Sequence, residues 1–104
     1  MKARLIREDE VGVGEDEAMH IRVWEVPVPV VGSTHFYKYS LAFVCDEVCV
    51  VRFDNERGKG DHVHIGDAEM PYEFHDLARL ELDFRRTVRE WRLQNGRLQR
   101  EDRR

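Results

Sequence analysis

The first two thirds of the chain alternate apolar and polar residues, a pattern that predicts β-strands. The clearest case is the segment 18–26, where Met19, Ile21 and Val23 fall on one face. Similar patterns predict strands at 2–10, 36–45 and 48–54 and a short strand around 63–65. Two prolines make the segment 27–34 unsuitable for a central strand, because proline lacks the backbone N–H that a neighbouring strand needs.

The two central strands are predicted to form a hairpin with Asp46 and Glu47 as a two-residue turn. Regular pairing from this turn places Tyr39 opposite Asp54. It also places Cys45 and Cys49 on opposite faces of the sheet, so a disulfide between them is not expected. Reduced thiols agree with a cytoplasmic location.

After residue 75 the period of the apolar residues changes to that of an amphipathic helix. Asp76 is suited to be the N-cap, and Gly96 is a typical stop signal. The apolar stripe consists of Leu77, Leu80, Phe84, Val88 and Trp91. We therefore predict an α+β fold: an antiparallel sheet of four to five strands with one long C-terminal helix packed on one face. Residues 1–96 are expected to form a single domain and residues 97–104 a basic tail.

Composition and charge narrow the class of protein. The chain has 104 residues, of which 37% are charged and 41% are hydrophobic. No apolar run approaches the roughly 20 residues of a transmembrane helix, and charges interrupt the N-terminus, so we expect a cytoplasmic protein without a membrane partner. The net charge is -4, yet residues 85–104 carry eight arginines against three acidic residues. This basic segment suggests an anionic partner, either nucleic acid phosphate or an acidic protein segment; the alternative, which we favour, is a solvated arginine-rich helix face and tail.

The segment 54–66 has a composition that suits chemistry better than packing. Gly58 and Gly60 permit positive φ angles and a close approach of a ligand to the backbone. On an extended segment, His62 and His64 point to the same face. The segment is a candidate active or binding site; the alternative is a solvated hairpin loop whose histidines cap or pack.

The residues from Trp24 to Phe84 resemble the TumE family, which is grouped among the toxins of bacterial toxin–antitoxin systems. The resemblance is carried by the segments 24–29, 35–44, 51–55, 58–66 and 71–74. It implies a toxin with a cognate antitoxin, usually a helix-turn-helix protein. Val63 stands where the family often has a basic residue, which removes a phosphate contact, and Glu47 stands where a glycine is common.

The leading hypothesis is a metal-independent endoribonuclease without a cofactor. His62 and His64 would act as base and acid on RNA, and Asp54 or Asp61 would orient one of them. Cations would hold the phosphate and stabilise the transition state, and Tyr39 would stack a base or donate a proton. The predicted substrate-binding residues are Lys59, Arg57, Arg52, Asn55 and Tyr39.

Two other classes of function are considered. A metal-dependent phosphodiesterase would use His62 and His64 with Asp61 or Asp54 as ligands, although the sequence offers no third ligand at a persuasive spacing. A binding module without catalysis would use the loop and the arginine-rich end to hold nucleic acid or protein. The central hairpin is apolar on both faces near its turn, which is consistent with a homodimer.

Overall fold

Six antiparallel strands followed by one helix make up the computed structural model, which describes residues 2–97. The α+β prediction is confirmed, with one strand more than the upper number expected. The strands follow one another in the sheet in chain order. Their bounds are Arg4–Gly14 (β1), Glu17–Glu25 (β2), Tyr37–Cys45 (β3), Val48–Glu56 (β4), Gly60–Ile65 (β5) and Ala68–Pro71 (β6), and the helix spans Leu77–Gln94 (α1).

The sheet lies in a compact unit that ends at Phe74, and the helix lies in a second unit that begins at His75. The single domain over residues 1–96 stays a prediction. Of the predicted basic tail, residues 98–104 lie outside the described residues.

Strand β6 is the element that the sequence pattern did not indicate. The strand has only four residues and ends in a proline, so the alternation of Ala68, Glu69 and Met70 is too short to predict it, and all four residues are exposed. A turn at Gly66 and Asp67 connects it to β5, and Gly66 has a φ of 58°. This glycine was the available signal, since a Gly-Asp pair between two extended segments is typical of a tight hairpin.

The turn between β3 and β4 is the predicted one, with positive φ at both Asp46 (52°) and Glu47 (69°). The predicted register beyond it is wrong. Strand β4 carries one extra residue, Val50, between the residues opposite Val44 and Phe43, so the pairing shifts by one. Ser40, rather than Tyr39, is therefore opposite Asp54.

The two faces of the sheet differ in chemistry. One face, here called the apolar face, carries the buried residues Met19, Ile21, Val23, Leu41, Phe43, Val51 and Phe53. The opposite face, here called the histidine face, carries Asp54, His62 and His64. The bulge at Val50 produces this separation, because it brings Phe53 and Asn55 to the apolar face and Asp54 to the other.

The helical unit follows the predicted boundaries closely. Asp76 is the N-cap and accepts a hydrogen bond of 2.7 Å from the backbone N–H of Arg79. Leu80, Phe84 and Val88 are its buried residues. Gly96, with a φ of 70°, follows the C-cap as expected. Within residues 2–97 the helix is too polar to cross a bilayer.

Candidate histidine and carboxylate site

Pairing between β4 and β5 brings three functional side chains together on the histidine face. Asp54 is directly opposite His62, and Arg52 is opposite His64. The predicted common face of the two histidines is confirmed, with their ring centroids 4.7 Å apart and their planes at 72°. Asp54 joins them because residues directly opposite on paired strands project to the same side.

The ring of His62 is held in one orientation. Its Nδ1 lies 2.9 Å from the carbonyl oxygen of Gly60, and because a carbonyl only accepts, Nδ1 must carry a proton. Its Nε2 is thereby directed to the carboxylates, 3.1 Å from Asp54 Oδ1 and 3.5 Å from Glu69 Oε2. The residue is 4% exposed, so this nitrogen has little access to water.

His64 completes the cluster from a more open position, with its side chain 25% exposed. Its Nε2 is 3.9 Å from Asp54 Oδ1 and 3.8 Å from Glu69 Oε2. Asp54 Oδ1 and the two Nε2 atoms are buried, and none of them has a partner in hydrogen-bonding geometry. The 3.1 Å contact between Asp54 and His62 is short, but its direction is wrong for a hydrogen bond.

The charged residues around the cluster are mixed in sign. Lys59 Nζ lies 2.8 Å from Glu69 and 3.5 Å from Glu56, and Arg52 Nε lies 3.3 Å from Asp54. The hydrogen bond between Lys59 and Glu69 raises the pKa of the lysine and lowers the pKa of the glutamate. Arg57 is exposed in the turn after β4.

An open cleft of about 250 Å³ leads to this cluster. It is lined by Lys59, His62, Glu69, Met70 and Pro71. Glu69 belongs to β6, which the sequence pattern does not predict, and it is therefore not among the candidate residues. Of the three clustered side chains, His62 lines this cleft.

Asp61 lies on the apolar face, away from His62 and His64. Its carboxylate accepts hydrogen bonds from Ser33 Oγ (2.6 Å) and Tyr39 OH (2.7 Å), and it contacts His35 Nε2 at 2.7 Å. The backbone N–H of Tyr37 donates to His35 Nδ1, so Nε2 carries the proton that is shared with Asp61. Asp61 does orient a histidine, but that histidine is His35.

Asn55 belongs to the same buried network as Asp61. Its Oδ1 accepts from the backbone N–H of Tyr39 at 3.0 Å, and its Nδ2 donates to Tyr37 O (2.8 Å) and Ser33 Oγ (3.2 Å). Asn55 is fully buried. The structure therefore brings together His62, His64, Asp54, Lys59 and Arg52, and it places Asp61, Asn55 and Tyr39 on the other face.

Tyr39 provides a prediction about alkaline pH. Burial, followed by the hydrogen bond to Asp61, raises the pKa of Tyr39 above its ordinary value. Above about pH 10 the unfolded chain loses this proton while the folded chain keeps it, so stability contributed by the neutral phenol is lost as pH rises. We expect the urea midpoint to fall between pH 9 and pH 11, and to fall less in Tyr39→Phe. An equal fall in both proteins would contradict this assignment.

Taken together, the chain is a small α+β protein with a histidine and carboxylate cluster on an open antiparallel sheet. A sequence profile of the family described as toxin TumE matches residues 2–92. The chain therefore belongs to the TumE toxin family. Searches of curated proteins and of solved structures gave no significant match.

Proposed function

We propose that this toxin is an endoribonuclease that acts in the cytoplasm and cleaves RNA at the cluster formed by Asp54, His62 and His64. The observation that carries the proposal is the convergence of two imidazole Nε2 atoms on one carboxylate beside an open cleft. RNA supplies its own nucleophile, the 2′-hydroxyl, so the protein has to activate this group and stabilise the charge on the phosphate.

The two imidazole nitrogens can serve this reaction in two ways. They can transfer protons directly, as in the metal-independent scheme expected from the sequence, or they can bind a divalent ion that polarises the phosphate. In both schemes Lys59 faces the approaching phosphate from the rim of the cleft. Arg57, exposed in the preceding turn, would contact the RNA backbone on either side of the cleaved bond.

Replacement of His64 by alanine tests the location of the reaction. This side chain is only partly buried, so its loss should leave the fold intact. We expect RNA cleavage by purified protein to fall at least about 100-fold and growth inhibition on induced expression to disappear, as for other residues that act on the reacting groups. His62→Ala should have the same effect.

His20→Ala is the matched control, since His20 is a half-exposed histidine that contacts Glu10 on another pair of strands. It should remain as toxic as the wild type. If His62→Ala and His64→Ala both fold, stay toxic and cleave as before, the site is wrong. Loss of RNA binding in Lys59→Ala and Arg57→Ala, without any cleavage by the wild type, would instead indicate a binding module.

We also propose that a cognate antitoxin of the helix-turn-helix class binds this toxin. Membership of a toxin family supports an antitoxin partner in general, and the helix-turn-helix class follows from the family resemblance. Rescue of growth by co-expression of the adjacent small gene tests this partner. We also expect a homodimer, and light scattering would measure the mass of the protein in solution. The exposed Leu5, Ile6 and Val11 of the edge strand β1 support this expectation.

A further inference from the structure

We propose that Asp54, His62 and His64 form a binding site for one divalent transition-metal ion. The site is inferred from the geometry of the side chains alone. Its use in RNA cleavage rests on the proposed function. One ligand atom from each of the three residues lies within 4.8 Å of the other two. The ligand atoms would be Asp54 Oδ1 and the Nε2 atoms of the two histidines.

The three ligand atoms make no hydrogen bonds, although carboxylates of Glu56 and Glu69 lie 3.5–3.8 Å from the two Nε2 atoms. Each is buried without a hydrogen bond, although burial of an unpaired polar atom is costly. A metal ion would satisfy all three at once. Ligand atoms bound at about 2.0–2.2 Å to a common ion are separated by roughly 3–3.5 Å. Asp54 Oδ1 lies 3.1 Å from His62 Nε2 and 3.9 Å from His64 Nε2, so rotation of the side chains would bring the three atoms to one ion.

The orientation of His62 is the one found in metal-binding histidines. Such histidines commonly donate their second ring N–H to a backbone carbonyl or carboxylate, which fixes the tautomer and directs the other nitrogen to the ion. Gly60 O accepts this hydrogen bond from His62 Nδ1 at 2.9 Å. This hydrogen bond to a backbone carbonyl therefore fixes the direction of His62 Nε2.

The competing explanation is a protonated His62 paired with its acidic neighbours. A charged imidazole beside Asp54 should align its N–H with a carboxylate oxygen, because charge-assisted hydrogen bonds are the strong ones. The observed contact does not have this alignment. In addition, three carboxylates, those of Asp54, Glu56 and Glu69, lie near His62 Nε2. The cations Lys59 and Arg52 pair with them, which leaves one net negative charge among these five residues. A bound dication would offset this negative charge and would make the cleft more favourable to a phosphate.

The ligand types indicate the class of ion. Two imidazoles and one carboxylate suit Zn²⁺, Mn²⁺, Fe²⁺ or Ni²⁺, whereas Mg²⁺ and Ca²⁺ prefer sites made of oxygen ligands. Three protein ligands leave coordination positions for water or for a phosphate oxygen, as in catalytic rather than structural sites. Glu69 Oε2, which is 3.5 Å from His62 Nε2, is close enough to become a further ligand if it leaves Lys59.

The test uses the full-length protein after removal of metal with EDTA. Titration calorimetry and elemental analysis should show one Zn²⁺ or Mn²⁺ bound per chain, and Mg²⁺ should bind far more weakly. Added Zn²⁺ should also raise the melting temperature by several degrees, since a ligand that binds only the folded state stabilises it. His64→Ala and Asp54→Asn should each weaken binding at least about 10-fold, and His20→Ala should not change it.

The outcomes separate this inference from the proposed function. One ion per chain with no RNA cleavage keeps the metal site and refutes the ribonuclease. RNA cleavage that is unchanged in EDTA, with no ion bound, keeps the ribonuclease and refutes the metal site. Asp54→Asn preserves the shape of the side chain, so a folded variant that binds Zn²⁺ as tightly as the wild type would also overturn the assignment.

Discussion

Gly60→Ala is expected to destabilise the protein by about 2–5 kcal/mol, because two costs coincide at this residue. Gly60 has a φ of 76°, a conformation that is unfavourable for any residue with a Cβ atom. A Cβ built there would also lie 2.7 Å from the carbonyl oxygen of Gly32, a backbone atom that cannot rotate away. Urea unfolding followed by circular dichroism measures the loss.

Gly58→Ala provides the matched control two residues away. Gly58 has a similar φ of 85°, but an added Cβ there meets nothing within 4 Å. Its replacement should cost only the conformational term, about 1–2 kcal/mol. The difference in unfolding free energy between the two variants therefore measures the cost of placing a Cβ atom against the backbone of Gly32. If both variants lose the same stability, the approach of the two backbones does not matter to the fold.

The same contact links the proline-containing connection to the site. Gly58 N donates to Val31 O at 2.7 Å, so the connection between β2 and β3 is fixed against the loop that precedes β5. Gly60 in turn supplies the carbonyl that orients His62. A shift of this loop would move that carbonyl, and we expect folded Gly60→Ala to lose RNA cleavage and Zn²⁺ affinity together, while Gly58→Ala retains both.

The sequence was sufficient for the order of most elements and for the histidine pair. Alternation identified the strands up to β5, and the common face of His62 and His64 follows from the two-residue period of any strand. The register between β3 and β4 could not be predicted from the sequence. The bulge at Val50 changes every pairing after it by one residue, and nothing in the local pattern of apolar residues marks an extra residue there.

The pairing of β4 with β5 decides which acidic residue joins the histidines, and the bulge only places that residue on the face opposite the apolar core. The sequence offered Asp54 and Asp61 as equivalent candidates, since both border the glycine-rich loop. Pairing of β4 with β5 puts Asp54 opposite His62 and gives the cluster the third ligand that spacing along the chain did not reveal. Asp61 is adjacent to His62 in sequence and must therefore point to the other face.

Asp61→Ala is expected to lower the free energy of unfolding by about 3–5 kcal/mol. This loss is similar to that expected for Gly60→Ala, but it has a different physical cause. The carboxylate accepts from Ser33, His35 and Tyr39, and its removal leaves these donors in a part-buried site without an acceptor. His35 would also lose the group that fixes its ring, which stacks on Phe74 at a centroid distance of 3.8 Å. Thermal or urea unfolding measures the effect.

Asp61→Asn separates structure from chemistry. An asparagine can keep one oxygen as the acceptor for His35 and Tyr39 and direct its amide N–H to Ser33 Oγ, which is able to accept. We expect a smaller loss of about 1–2 kcal/mol, with RNA cleavage by the folded protein close to that of the wild type, because Asp61 does not reach the histidine face. If a well-folded Asp61→Asn variant cleaves RNA about 100-fold more slowly than the wild type, Asp61 is a catalytic residue. That result would contradict the separation of the two faces on which the site depends.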